Sequence, residues 1–305
     1  MSDRVVVSKE GKIPFRGYGT WYRIYGESEE PGKLPLLCLH GGPGAAHDYL
    51  ESLVAMVGTG RRVIFYDQLG CSRSSIPESR PEMWTVDLYL DEVTAVRAAL
   101  GLDVVHVLGQ SWGGMLGMEY ALTQPAGLAS LIVASSPASM SQWVQEADRL
   151  RADLPPGVQA ALRKHEDAGT FDDPEYVAAM QVFYDRHVCR VVPNPACVTR
   201  SFASISVNPE VYHTMNGPNE FHVIGTLRDW DITGRLGEIR VPTLVTSGRF
   251  DEATPAIAGT VHEGIPGSRW EIFEASSHMP HAEEPERYMA VLDGFLSEVE
   301  QAHGG

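Results

Sequence analysis

Val104–Leu108 is a β-branched, apolar run that stops at Gly109-Gln110-Ser111-Trp112-Gly113, and a helical pattern over Trp112–Thr123 begins at once. No other stretch constrains the fold as tightly. A strand that becomes a helix this abruptly crowds its own backbone, and glycines two places either side of the serine relieve the clash. The serine hydroxyl is then lifted clear of the strand, at the positive end of a helix dipole. Gly-x-Ser-x-Gly alone is weak, and Ser111 taken by itself is an ordinary tight-turn residue. With a strand before it and a helix after it, Ser111 reads as a nucleophile held on an elbow.

The rest of the chain supplies the sheet such an elbow needs. Short apolar strands are predicted at Leu34–Leu39, Arg62–Tyr66, Leu131–Val133, Val241–Thr246 and Trp270–Phe273. Helical patterns alternate with them; in Asp87–Leu100, residues Leu88, Val93, Val96, Ala99 and Leu100 recur at helical spacing. That rhythm predicts a mostly parallel sheet covered on both faces. Arg16–Tyr25, with Tyr18, Trp21, Tyr22 and Tyr25, reads as an early strand pair. From Ala138 to Asp231 the rhythm gives way to helices such as Gln142–Leu150 and Pro174–His187, jointed at Pro155-Pro156 and Pro193–Pro195. The expectation is a core of residues 1–137 and 232–305, with a helical cap of residues 138–231 as a lid over the strand tips. The alternative is a separate helical domain of unrelated function.

A serine hydroxyl is a poor nucleophile without a base, and the base needs a third group to orient it. On an elbow of this kind the chain order is Ser, acid, His. Asp251 follows the strand Val241–Thr246, and His278 follows Trp270–Phe273. Asp251 would fix the tautomer of His278 and stabilise its imidazolium. Glu252 could replace Asp251 as the acid, and His281 is a rival base at a helix entrance. The other histidines show no metal-ligand spacing. His40-Gly41-Gly42-Pro43-Gly44 ends the first central strand, and the amides of Gly42 and Trp112 are the expected oxyanion donors. Those glycines otherwise make only a tight turn. Epoxide or dehalogenation chemistry needs an aspartate at the elbow, and position 111 is serine.

Charge narrows the partners. With 24 Lys+Arg against 40 Asp+Glu the net charge is −16, which repels nucleic acid and disfavours an anionic membrane surface. A negative field near the site would attract cationic substrates. No apolar run approaches the roughly 20 residues that span a bilayer. Met1–Val7 lacks the pattern of a secretory leader. Cys38, Cys71, Cys189 and Cys197 show no metal-type spacing, and Cys189 and Cys197 would pair only if the fold brought them together. A cytoplasmic protein is expected; composition says nothing of its oligomeric state.

His40–Gly44, Tyr66-Asp67-Gln68-Leu69-Gly70-Cys71-Ser72-Arg73-Ser74 and Gly109-Gln110-Ser111-Trp112-Gly113-Gly114, in that order, resemble the prolyl aminopeptidase (proline iminopeptidase) family of α/β-hydrolases over nearly the whole chain. Cys71 stands where that family more often has glycine. Met215–Phe221 and Gly225–Asp231 are similar to the tricorn-interacting aminopeptidase subgroup. The resemblance implies an α/β-hydrolase fold and a cofactor-free serine exopeptidase that releases an N-terminal residue, often proline, from short peptides. It also implies that Glu220 and Glu252 hold the substrate's free α-amino group. Independently, a protonated amine entering a closed pocket must meet carboxylates or its desolvation opposes binding. Apart from the resemblance, Glu220 reads as a solvated surface residue and Glu252 as a cap on the helix after Thr254-Pro255. The aromatics Phe183, Tyr184, Tyr212, Phe221 and Trp230 are candidates for a proline-ring pocket or for cap core. An amino-acid amidase or esterase would share the acyl pocket, and a catalytically dead binding module would show a broken Ser-His-Asp set.

Overall fold

The computed structural model describes residues 8–304, so the Met1–Val7 stretch lies outside the described residues. One sheet contains β1 (Ser8–Phe15), β2 (Tyr18–Tyr25), β3 (Leu36–Leu39), β4 (Val63–Tyr66), β5 (Val105–Gln110), β6 (Leu128–Ala134), β7 (Thr243–Gly248) and β8 (Arg269–Phe273). Their spatial order is β1-β2-β4-β3-β5-β6-β7-β8, with the first two antiparallel and the other six parallel to one another. The early strand pair is displaced from its expected place. Arg16 and Gly17, at φ 47° and 84°, form the turn, and the partner strand lies upstream in Ser8–Phe15. That strand carries Lys9, Glu10 and Lys12 on a sheet edge, where charge blunts edge pairing and erases the alternation that marks a half-buried strand.

The helices, in chain order, are α1 (Val86–Leu100), α2 (Trp112–Leu122), α3 (Met140–Ala152), α4 (Pro156–Ala168), α5 (Pro174–His187), α6 (Ala196–Val207), α7 (Glu210–Met215), α8 (Pro255–Gly264), α9 (Pro280–Glu283) and α10 (Pro285–Gly304). A 3-10 helix occupies His47–Thr59. Successive strand residues serve opposite faces, as the pleat demands. Leu37, Ile64, Val107, Val133 and Val245 pack with α1, α2 and α8. Leu36, Val63, Phe65, Leu108 and Ile132 pack with the 3-10 helix and α10. This is the α/β-hydrolase arrangement. Because β3, β5, β7 and β8 are parallel, the loops that follow them gather at one edge of the sheet, where open α/β sheets bind ligands.

Between β6 and β7 the chain makes a helical excursion through α3–α7. It leaves and returns at one point: Ser139 bridges to Asp231, the Met140 amide donates to Trp230 O (3.0 Å) and the Ile232 amide to Ala138 O (2.9 Å). Helix α6 is seated on the 3-10 helix by Ser201 Oγ donating to Ala46 O (2.8 Å) and by Arg200 on Asp48 (3.1 Å) and Glu51 (2.7 Å). All four cysteines are free, so Cys189 and Cys197 are not paired. Among the described residues no helix is long and apolar enough to cross a membrane.

One buried acid gives the fold a pH dependence. Burial pushes the Glu92 carboxyl up to about 7, against hydrogen bonds from Thr20 Oγ1 and the Leu69 amide. Its folded value exceeds its ordinary 4.5, so the folded state holds more protons and stability falls as pH rises from about 4.5 to about 7. At ~1.4 kcal/mol per tenfold the gap corresponds to about 3 kcal/mol. Glu92→Gln, which stays neutral, is expected to raise the melting temperature at pH 8 by several degrees and to change it little at pH 4. Equal shifts at both pH values would remove Glu92 as the cause.

Candidate active site

The elbow is built by backbone. Ser111 is the N-cap residue of α2, at φ 56° and ψ −127°, a conformation that costs about 1–3 kcal/mol and persists only when its surroundings impose it. Its amide donates to Ala134 O (2.9 Å), and Ser136 Oγ donates to its carbonyl (2.7 Å). A Cβ on Gly109 would lie 2.0 Å from Gly113 O, and one on Gly113 2.1 Å from Leu39 O, so both places accept only glycine. The turn leaves Ser111 8% exposed, bordering two cavities.

Asp251 and His278 converge from the loops after β7 and β8. His278 Nδ1 lies 2.7 Å from Asp251 Oδ1, which also accepts from the Ala253 amide (2.7 Å); Asp251 Oδ2 accepts from the Gly248 amide (3.3 Å). Burial by itself would lower the pKa of His278, but the charge and hydrogen bond of Asp251, with Glu220 and Glu283 nearby, raise it overall. Glu252 Oε1 stands 3.6 Å from the other ring nitrogen, Nε2, so Asp251 rather than Glu252 occupies the orienting position. His281 is turned away toward Ser52 Oγ (3.0 Å), with burial and His278 pushing its pKa down to about 3.

Two buried relays join the motifs, and neither was visible in the sequence. His40 Nε2 accepts from the Gln68 amide (2.9 Å), Gln68 Nε2 donates to His40 O (2.8 Å), and the Trp112 indole donates to Gln68 Oε1 (2.8 Å). In the second relay the Gly41 amide donates to Tyr49 OH (2.7 Å), which donates to Gln110 Oε1 (2.5 Å), while Gln110 Nε2 donates to His278 O (2.9 Å). The glycine loop, the elbow and the histidine loop are thereby one connected unit. Gln110, at a variable position of the elbow pattern, offered no signal beyond its place beside Ser111.

Glu220 and Glu252 reach the same cavity. Trp143 Nε1 donates to Glu220 O (2.7 Å) and Tyr212 OH to Glu220 Oε1 (2.8 Å). Burial pushes the Glu220 carboxyl up, with Tyr212 and His278 working against it. Glu252 is buried, and neither carboxylate oxygen has a hydrogen-bond partner among the described residues, so it does not cap α8. Burial, then the charges of Glu220 and Asp251, hold its pKa well above the ordinary value. These glutamates, Gly42, Ser111 and His278 line a cavity of about 380 Å³ whose apolar wall is Val188, Val198, Phe202, Ile205 and Met279. A second cavity, of about 280 Å³, shares Gly42, Ser111 and Glu220 and adds Trp112, Met140 and Trp143.

Of the aromatics that were candidates for a ring pocket or for cap core, several serve other contacts. Phe183 and Phe221 pack on each other at 4.9 Å, Trp230 Nε1 donates to Glu119 Oε1 (2.9 Å), and Tyr212 holds Glu220. Among the described residues two groups have the proximity to hold a cation, His47-Asp48-Glu51 and His165-Asp173-Glu175. Arg73 and Arg200 already pair with Asp48, and Lys164 with Glu175.

A family model described as alpha/beta hydrolase fold matches residues 35–285. The proline iminopeptidase of Lactobacillus helveticus is 43% identical over 295 residues, 96% of this chain and 99% of that protein. Among solved structures, the proline iminopeptidase of Mycobacterium smegmatis superposes with a TM-score of 0.91 at 47% identity, covering 97% of this chain and all of that one. VinJ superposes with a TM-score of 0.93 at 50% identity, covering 95% of this chain and 99% of VinJ.

Proposed function

The chain belongs to the proline iminopeptidase family of α/β-hydrolases, and on that premise we propose that it is a serine aminopeptidase releasing N-terminal proline from short peptides. The observation that carries this reading is the pair of carboxylates, Glu220 and Glu252, sharing one cavity with Ser111 and His278 in which no Lys or Arg is among the lining residues. A cavity that negative takes a cation, and a substrate's N-terminal ammonium supplies one.

The steps follow from that pose. The ammonium sits between Glu220 and Glu252, placing the next carbonyl at Ser111. His278, oriented by Asp251, takes the Ser111 proton as the hydroxyl attacks, and the amides of Gly42 and Trp112 receive the oxyanion. His278 then protonates the leaving amine, and water releases the acyl group. No step needs a metal or organic cofactor. Residues 138–231 act as the cap that delivers Glu220 and excludes water. The four free thiols suit a reducing compartment, and the cytoplasm is the proposed place of work. Nothing in the cavity selects a peptide over another leaving group, so hydrolysis of amino-acid amides or esters is the second reading.

Glu220→Gln tests the amine pocket. It is expected to lower kcat/KM for proline p-nitroanilide by about 10- to 100-fold, the worth of one charge-assisted contact, while sparing a p-nitrophenyl ester without an amine. Equal loss on both substrates would refute the role of Glu220 in amine recognition.

A further inference from the structure

Four carboxylates surround one imidazole. Asp251 and Glu252 approach His278 from the loop after β7, Glu220 from the loop after α7, and Glu283 from α9. The remaining polar neighbours carry no compensating charge. His281 on α9 is kept neutral by burial, Tyr49 is a neutral hydroxyl donating to Gln110, and Trp143 presents its ring edge-on at 6.1 Å. Asp251 is satisfied by His278 Nδ1 and two backbone amides. Glu252 is not: both of its oxygens are buried without partners, and Oε1 lies 3.6 Å from Nε2. Among the described residues that line the cavity, the one group able to carry a positive charge is His278.

Nε2 is the nitrogen that must be free of a proton to act on Ser111. We propose that in the empty site Glu252, with Glu220, holds His278 as an imidazolium at Nε2, and that a substrate's ammonium takes over both carboxylates and frees the ring to act as base. One proton leaves the cluster for water as each ammonium enters, so the net charge of the cavity is unchanged. The raised pKa of His278 agrees with this, because the charges of Asp251 and Glu220 favour its imidazolium. Glu252 thereby determines specificity twice: it binds the amine, and it disarms the base toward acyl groups that lack one. This rests on the aminopeptidase reading and adds a switch to it.

The test compares proline p-nitroanilide with p-nitrophenyl cyclopentanecarboxylate, which keeps the ring and omits the amine. In the wild type the acid limb of kcat should lie about one pH unit lower for the prolyl substrate than for the ester, since kcat reports the occupied site. Glu252→Gln should cut prolyl turnover yet raise ester hydrolysis several-fold at pH 6, by moving the ester's acid limb down. Coincident wild-type limbs, or an ester limb unmoved by Glu252→Gln, would overturn the switch. A wild type that cleaves the ester but not the anilide would overturn the aminopeptidase reading instead, and the ester limb would still report on Glu252. Calorimetric titration of Ser111→Ala with prolinamide in buffers of different ionisation heat gives a readout without turnover. Close to one proton released per prolinamide at pH 6 supports the switch, and none released rejects it.

Discussion

Ser111→Ala is expected to yield a folded protein with turnover reduced by about 10⁴- to 10⁶-fold, the loss seen when a serine nucleophile that works as a unit with its base is removed. Folding should survive because the elbow is held through the backbone of Ser111 and not through its side chain. The Ser111 amide and carbonyl are bound by Ala134 and Ser136, and the side chain caps nothing in α2. Alanine at φ 56° bears the same Cβ strain as serine, so the melting temperature should stay within a few degrees. Release of p-nitroaniline and the mass gained on fluorophosphonate treatment are the measurements. Activity within a few fold of wild type, or labelling of the alanine variant, would sink Ser111 as the nucleophile.

Asp251→Asn should cost about 10⁴-fold in kcat while leaving the main chain in place. Asp251 accepts three hydrogen bonds, from His278 Nδ1 and the Ala253 and Gly248 amides. An asparagine has one carbonyl oxygen for the two carboxylate oxygens that now accept them. If that oxygen takes the Oδ2 place on the Gly248 amide, its NH₂ meets Nδ1, makes that nitrogen an acceptor and drives the ring proton to Nε2. The base is then blocked. Since Asp251 also raises the pKa of His278, the acid limb of the residual activity should move to lower pH. Residual activity with an unshifted limb would show that Asp251 does not govern the imidazole.

Much of this was legible because it is local. Pro174–His187 matches α5 end for end; Arg62–Tyr66 matches β4 within a residue, since burial of a strand on both faces writes itself as a short apolar run. The hairpin was misplaced, because an exposed edge strand such as Ser8–Phe15 carries no such run. The elbow was legible for a steric reason: a Cβ at Gly109 or Gly113 would overlap carbonyl oxygens. Asp251 and His278 could be chosen because each follows a strand of a parallel sheet, whose C-terminal ends meet at one edge.

The sequence by itself determined the strand–turn–helix at Ser111, the order of the sheet-forming runs and the two loops that bring acid and imidazole. These are properties of backbone sterics and of residues close together in the chain. Only the tertiary structure decided that Asp251 meets Nδ1 while Glu252, the next residue, faces Nε2 with empty oxygens. It alone brought Glu220 to the same cavity, joined Gly41, Tyr49, Gln110 and His278 into one relay, and walled the cavity with Phe202 and Ile205. Such contacts join residues as far apart as 168 positions, Gln110 and His278, and depend on loop paths that no local pattern encodes.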